Sequence, residues 1–321
     1  MPIDPDIAIG ADLGRRHFSW TSSDVLLYHL GIGAGARAGD NLDPAALRWT
    51  TEHESDGRSL QVLPSFGVVA PTFHETEAPS VEMPGVQINL GQVVHGSQAI
   101  TVHGPIPTSG SATQSTTITD VWDKGKAAVI WQEASVTADD GAALWTTRSS
   151  IFVRGEGGFG GDRGTSEPVE LPDRAPDADT SYEIAPHQAL LYRLCGDRNP
   201  LHSDPAFAEA AGFPAPILHG LCSYGITLRE LTTALLGGDA TKVAGFAVKF
   251  SGVVFPGETL RVRGWNLHLP GLGTTLGQMA LGACEVCAAA AVLFVLLPGG
   301  YNLDYPTFLA AYIFALSLIH I

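Results

Sequence analysis

Basic side chains are scarce in this chain. Eighteen lysines and arginines stand against 33 aspartates and glutamates over 321 residues, a formal net charge of -15. A field of that sign repels polyanions, so nonspecific nucleic-acid binding is disfavoured and an anionic ligand would need a local basic pocket. Cysteine is scarcer still: Cys195, Cys222, Cys284 and Cys287 are too few to staple a chain of this length. The opening MPIDPDIAIG has neither the basic n-region nor the apolar h-region of a secretory leader, which points to a reducing cytoplasm. What is present is apolar: 45% hydrophobic against 16% charged residues, enough to bury a sizeable core, with a length that predicts two units of ordinary size.

The first element signal is TSSDVLLYHLGIGAG, where Ser22 or Ser23 can cap a helix whose apolar stretch Val25 to Leu30 ends at Gly31. The GIGAG string, with Glu52 21 residues beyond Gly31, has the outline of a dinucleotide fingerprint. That fingerprint needs a strand before the glycines and a helix after them; here the helix comes first, so no nicotinamide cofactor is implied. Residues 86–153 alternate apolar and polar in runs such as QAITVH, STTITDVW, AAVIWQEASV and LWTTRSSIFV, the pattern of antiparallel strands. GEGGFGGDRG, Gly155 to Gly164, and the EPVELPDRAPDAD that follows are too rich in Gly, Pro and charge for an element interior. Residues 154–180 therefore read as a linker between halves spanning 10–153 and 181–265. Without a GK[ST] ending and a following helix, its glycines are not a phosphate-binding loop.

In the second half, Asp204 before Pro205 predicts an N-cap with proline at the first helical position, and Gly212 closes the short helix AFAEAA. A longer apolar helix covers about Leu218 to Leu236, followed by strand-like VAGFAVKFSGVVF and ETLRVRGW joined at the turn Pro256-Gly257. Each half reads as a long helix with a sheet wrapped on it, an α+β architecture. Between the short elements lies the acid/imidazole pair Asp197 and His202. On a regular helix two residues five apart point about 140° from each other. Pro200 disfavours that helix and pushes Asn199 toward an extended conformation, so the Gly-Asp-x-Asn-Pro-x-His loop can turn carboxylate and imidazole into one cavity. A water held between them could lose a proton to one group while the other moves a proton to or from carbon. The alternative is an Asp making an Asx-turn and a His satisfied in packing. No metal site is expected, because the eleven histidines are scattered and Cys284-x-x-Cys287 has no second pair.

YRLCGDRNPLHSDP (Tyr192 to Pro205) and PILHGLCSYG (Pro216 to Gly225) resemble the signature of the R-specific enoyl-CoA hydratases, the hydratase 2 or MaoC-like family. FSWTSSDVLLYHLGIGAG, VLPSFGVV, VVHGSQ, GGFGGDRG and VFPGETL resemble its two-domain form, known from the peroxisomal multifunctional enzyme and actinobacterial relatives, so the resemblance covers roughly residues 10–265. It implies a double hot-dog fold whose N-terminal half is noncatalytic and whose C-terminal half holds the active site. It implies that Asp197 and His202 activate a water, that Asn199 orients their loop, and that the Gly220 N–H binds the thioester oxygen. By the same resemblance His95, Gly96, Lys124, Arg198, Pro200, Leu201 and Phe250 contact the substrate, with Lys124 supplying the local positive charge. The implied activity is reversible hydration of trans-2-enoyl-CoA to (3R)-3-hydroxyacyl-CoA in fatty-acid metabolism, by a homodimer, with no cofactor beyond the CoA of the acyl-CoA substrate. Two rivals share these features: a (3R)-hydroxyacyl-carrier-protein dehydratase, and a noncatalytic acyl-thioester-binding module.

The text changes after Trp265. Asn266 to Ile321 contains no Lys or Arg and only Glu285 and Asp304 as acids, and AAAAVLFVLL lacks the alternation of an antiparallel strand. Ala280 to Leu297 has the length of a membrane span, against which stand Glu285 and the Pro298-Gly299-Gly300 that follows. A frame-shifted end suits the missing periodicity better, and it would leave the catalytic half without its closing strands.

Overall fold

A computed structural model of the chain describes residues 3–52, 59–80, 82–88, 90–165 and 171–266. Residues 1–265 form one compact unit. The tail from Asn266 onward lies outside the described residues apart from Asn266 itself, as do the expectations placed on it.

After a turn of helix, α1 (Pro5–Ala8), the chain runs along β1 (Asp12–Trp20) straight into α2 (Ser22–Gly31). The cap is Thr21, not Ser22 or Ser23. Thr21 is extended at φ -121° and accepts from the Asp24 N–H at 3.4 Å, while the Asp24 carboxylate accepts from the Thr21 N–H at 2.8 Å. Both serines are already helical, and a capping side chain must sit on the extended residue outside the helix. Short helices α3 (Pro44–Leu47) and α4 (Phe66–Val69) lead to four long strands. These are β2 (Val93–Val102), β3 (Gly110–Asp123), β4 (Ala127–Ala138) and β5 (Ala143–Arg154), where the alternating runs predicted them. Antiparallel pairing joins them with β1 into one sheet in the order β1-β3-β4-β5-β2. Its inner face sends Trp20, Ile100, Val136 and Trp145 into one core with Val25 and Tyr28 of α2. Burying a side chain such as Ile100 or Val136 stabilises by about 1.5–3 kcal/mol.

The second half contributes β6 (Ala178–Glu183), α5 (Gln188–Tyr192), α6 (Pro205–Ala210), α7 (Gly220–Leu236), β7 (Gly245–Lys249) and β8 (Thr259–Gly264). Asp204 accepts from the Ala206 and Phe207 N–H groups and Pro205 opens α6, as the residue order predicts. β6 pairs with β8, whereas β7 joins the first half's sheet beside β2, with Ser97 opposite Lys249 and Thr101 opposite Gly245. The expected strand from Val243 onward is extended as a strand only to Lys249. The chain then leaves the ladder, keeping one bond from the Phe250 N–H to the Gly96 carbonyl at 2.9 Å. Two helices, each laid against antiparallel strands and joined through β2 and β7, make a double hot-dog. The helices approach closely at Gly225, where a Cβ would stand 2.6 Å from Ile32 Cγ2 and from the Tyr28 hydroxyl.

The glycine-rich stretch is docked rather than loose. The Asp123 carboxylate accepts from the N–H groups of Gly125, Gly158 and Gly160 at 2.7–2.8 Å, and the Asp123 N–H donates to the Asp162 carbonyl at 2.7 Å. Residues 166–170 of that connection lie outside the described residues.

Candidate active site

The acid loop begins with a glycine that no other residue could replace. Gly196 has φ +99°, and a Cβ there would meet the Thr72 carbonyl oxygen at 1.9 Å. The Asp197 carboxylate then accepts from the Asn199 N–H at 3.1 Å, and the Asn199 side chain accepts from the Leu201 N–H at 3.0 Å. Two successive side-chain turns, with Pro200 in first position, wind residues 200–202 into a single 3-10 turn. The Asx-turn weighed as an alternative is thus present, and it is what aims Asp197 and His202 at the same cavity.

His202 is buried, with Nδ1 2.9 Å from the Ile217 carbonyl. A carbonyl only accepts, so the neutral ring carries its hydrogen on Nδ1 and leaves the Nε2 lone pair free. Burial holds this imidazole below its ordinary value, and the neighbouring Asp197 charge opposes that shift. At neutral pH the ring is therefore an uncharged acceptor.

His219 completes the cluster, and sequence reasoning passed over it. Its ring is fully buried, stacks on His202 at 3.8 Å with a 29° tilt, and lies 4.9 Å from the Tyr192 ring. Its Nε2 reaches the Asp197 carbonyl at 3.4 Å. Burial, reinforced by His202, pushes it well below an ordinary histidine. The signal was available: a histidine stands where α7 would ordinarily take Ser, Thr, Asp or Asn as its cap. Two of the histidines scattered in the sequence, His202 and His219, meet here. One donor atom each from Asp197, His202 and His219 lies within 4.8 Å of the others, the one set among the described residues able to hold a metal ion.

Gly220 is the first residue of α7, so its N–H is among those the helix cannot pair internally, at the positive end of the helix dipole. It faces a cavity of about 1280 Å³ that Asp197, Asn199, Leu201 and His202 also line. Phe250 forms part of the wall, 3.5 Å from where a Gly220 Cβ would be. The first half contributes His95, Gly96 and Lys124. The His95 ring packs 5.1 Å from Phe250 with Nε2 on the Ser97 carbonyl at 3.1 Å, and burial lowers its basicity. Lys124 lies over Trp122 and donates to the Arg163 and Thr165 carbonyls, so its charge is anchored to the glycine-rich stretch. Arg198 and Pro200 do not line the cavity; Arg198 Nε instead donates to the Glu75 carbonyl at 3.3 Å.

Fold and site together define a double hot-dog protein whose second half presents an acid and an imidazole beside a bare helix N-terminus. Residues 18–155 match the MFE-2 hydratase 2 N-terminal domain and residues 168–275 match the MaoC like domain. The chain is 56% identical over 266 residues to the enoyl-CoA hydratase ChsH3 of Mycobacterium tuberculosis, covering 83% of this chain and 90% of that one. It is 35% identical to the peroxisomal enoyl-CoA hydratase 2 of Arabidopsis thaliana, over 81% of this chain and 86% of the plant protein. Among solved structures, a MaoC-like dehydratase from Phytophthora capsici superposes with a TM-score of 0.71 at 30% identity, covering 83% of this chain and 89% of that one. The chain belongs to the MaoC-like hydratase 2 family, in its two-domain form. Among the described residues no helix is long and apolar enough to cross a membrane.

Proposed function

We propose that this protein is a hydro-lyase that reversibly hydrates trans-2-enoyl-CoA to (3R)-3-hydroxyacyl-CoA in fatty-acid metabolism. The observation that carries the reading is the convergence of Asp197, the His202 imidazole and Gly220 at the start of α7 on one cavity. A water bound between Asp197 and His202 gives one proton to the pair as its oxygen bonds to C3. The C2=C3 electron pair moves toward the thioester, and the oxygen there takes on enolate charge. The pair then returns one proton to C2, so the enzyme ends as it began. A fixed N–H from Gly220, backed by the α7 dipole, stabilises that oxygen most when its charge is greatest. The names of the relatives, hydratases and a dehydratase alike, support the same reversible step.

In this reading Asn199 sets the loop, while Leu201 and Phe250 give the acyl chain an apolar wall. His95, Gly96 and Lys124 bring the first half to the substrate. Dyad and helix suffice for the proton transfers, so no metal or cofactor beyond the substrate's own CoA is needed. A cytoplasmic homodimer belongs to the same proposal; Cys195 and Cys222, buried free thiols, suit a reducing compartment. The test is to follow the conjugated-thioester absorbance of a trans-2-enoyl-CoA with the purified chain and to determine the configuration of the product. Loss of absorbance with 3R product is expected. Binding without loss of absorbance would make the chain a noncatalytic acyl-thioester module, and turnover restricted to carrier-protein thioesters would make it a dehydratase of lipid synthesis.

A further inference from the structure

We propose that His219 is a positioning residue that holds Asp197, His202 and the Gly220 N–H in one fixed arrangement. The inference rests on the hydratase reading of the same site. The His219 side chain touches two of these groups, and its backbone leads directly into the third. Its Nε2–H donates to the Asp197 carbonyl at 3.4 Å, its face lies on the His202 ring at 3.8 Å, and the next residue in the chain is Gly220. Its own carbonyl accepts from the Cys222 and Ser223 N–H groups at 3.0 and 3.2 Å, so it is the residue from which α7 departs.

The surrounding bonds make this residue the strut of a short ladder. The Ile217 N–H donates to the Leu201 carbonyl at 3.3 Å, and His202 Nδ1 donates back to the Ile217 carbonyl at 2.9 Å. Those two bonds tie the segment before α7 to the far end of the acid loop. The His219 bond ties it to the near end, at Asp197. Remove it and the loop is held to the helix entrance on one side only. An apolar side chain could fill this place but could not make the bond that His219 Nε2 makes to the Asp197 carbonyl. Burial keeps the ring neutral, so it brings no charge against His202 when that ring takes up a proton.

Three replacements separate the roles: His219→Gln keeps a side-chain N–H, His219→Phe keeps the ring stack without the donor, and His219→Leu keeps neither. The readouts are kcat, KM, the pH-rate profile and the melting temperature on trans-2-enoyl-CoA. Because a displacement near 1 Å can cost about 10²-fold in rate, His219→Phe is expected to lose roughly that much kcat. KM should stay within about threefold of the parent, which marks an interaction made in the transition state. Both limbs of the pH profile should remain in place, and His219→Gln should recover to within about tenfold of the parent. A Phe variant within about threefold of the parent in kcat, or a Gln variant no better than Phe, overturns the inference. Disappearance of one pH limb also overturns it, since His219 would then transfer a proton itself. If Phe and Leu fail to fold, the Gln variant decides: with parental melting and a kcat down about 10²-fold or more, the bond is not what matters. An inert parent overturns the hydratase reading and this inference with it, whereas an active parent with unimpaired variants overturns the inference alone.

Discussion

The two long helices occupy equivalent places in their halves and treat their N-termini in opposite ways. In the first half only Thr21 separates β1 from α2, and the Thr21/Asp24 capping box pairs the N–H groups of Asp24 and of Thr21 itself with side chains. In the second half residues 184–219 intervene between β6 and α7, and no side chain caps the helix. The buried histidines repeat the contrast. His29 on α2 is bonded at both nitrogens, to the Trp49 carbonyl at 2.9 Å and from the Leu63 N–H at 3.3 Å, whereas His219 at the start of α7 leaves Nδ1 unpaired. An N-cap side chain contributes about 1 kcal/mol, and α7 forgoes it; the Gly220 N–H, which like every first-turn N–H has no partner within the helix, is the group the proposed mechanism turns toward the oxyanion. The same scaffold can therefore be a support or a reaction site, depending on whether the helix entrance is closed by its own side chains.

The largest losses are expected when the second half is stripped of its acid and its imidazole. Asp197→Asn and His202→Ala are each expected to lower hydration by about 10² to 10⁴ while leaving the melting temperature near that of the parent. The double variant should be little worse than the poorer single one, because groups acting as a unit are not additive. Either variant retaining parental turnover would remove the acid/base assignment. Next in size is Gly220→Val. A Cβ fits, 3.5 Å from Phe250, but in the proposed mechanism the added methyls would crowd the thioester oxygen. The expected loss is about 10² to 10³ in kcat, with a smaller change in binding. If affinity collapses while the bound complex turns over normally, Gly220 is a packing residue.

Much of the fold was legible because alternation and caps are local. The runs around Ile100, Ile118, Ile130 and Ile151 declared β2 to β5, and Asp204-Pro205 declared α6. The cap of α2 falls one or two residues before the expected Ser22 or Ser23 because Thr21, Ser22 and Ser23 all have capping side chains and only the backbone angles choose among them. β7 joining β2 was not legible, since pairing across 150 residues of chain leaves no mark on either strand alone. Within the site, the Gly-Asp-x-Asn-Pro-x-His spacing drew attention to Asp197 and His202. His219 went unnoticed because its role depends on a stack with a residue 17 positions earlier, which no period predicts.

Two buried histidines, His29 and His202, govern the expected pH behaviour. His29 is lowered to about 4 by burial, against 6.5 for an ordinary histidine. Between those two values the unfolded chain binds a proton that the native chain refuses. The stability from His29 is therefore complete above pH 6.5 and is lost as the pH falls to about 4, with on the order of 3 kcal/mol at stake. Denaturant midpoints measured from pH 7 to 4 should fall, and His29→Gln, which can keep a donor and an acceptor in place, should flatten the fall. An unchanged slope in that variant would place its origin elsewhere. Activity should follow His202 instead: its basicity is lowered by burial, so kcat/KM should hold through pH 6.5 and decline only below it.

The smallest effect tests the closed helix end. In Thr21→Ala the Asp24 N–H loses the Thr21 hydroxyl and keeps the Thr21 carbonyl at 3.1 Å, and the Asp24 carboxylate keeps the backbone half of the box. The expected cost is about 1 kcal/mol of stability, read as a lower denaturant midpoint at unchanged slope. Turnover per folded molecule should stay at the parental level, because the proposed mechanism draws no reacting group from α2. A loss of kcat without a loss of stability would mean that the N-terminus of α2 takes part in the reaction, and the division of labour between the two helices would have to be redrawn.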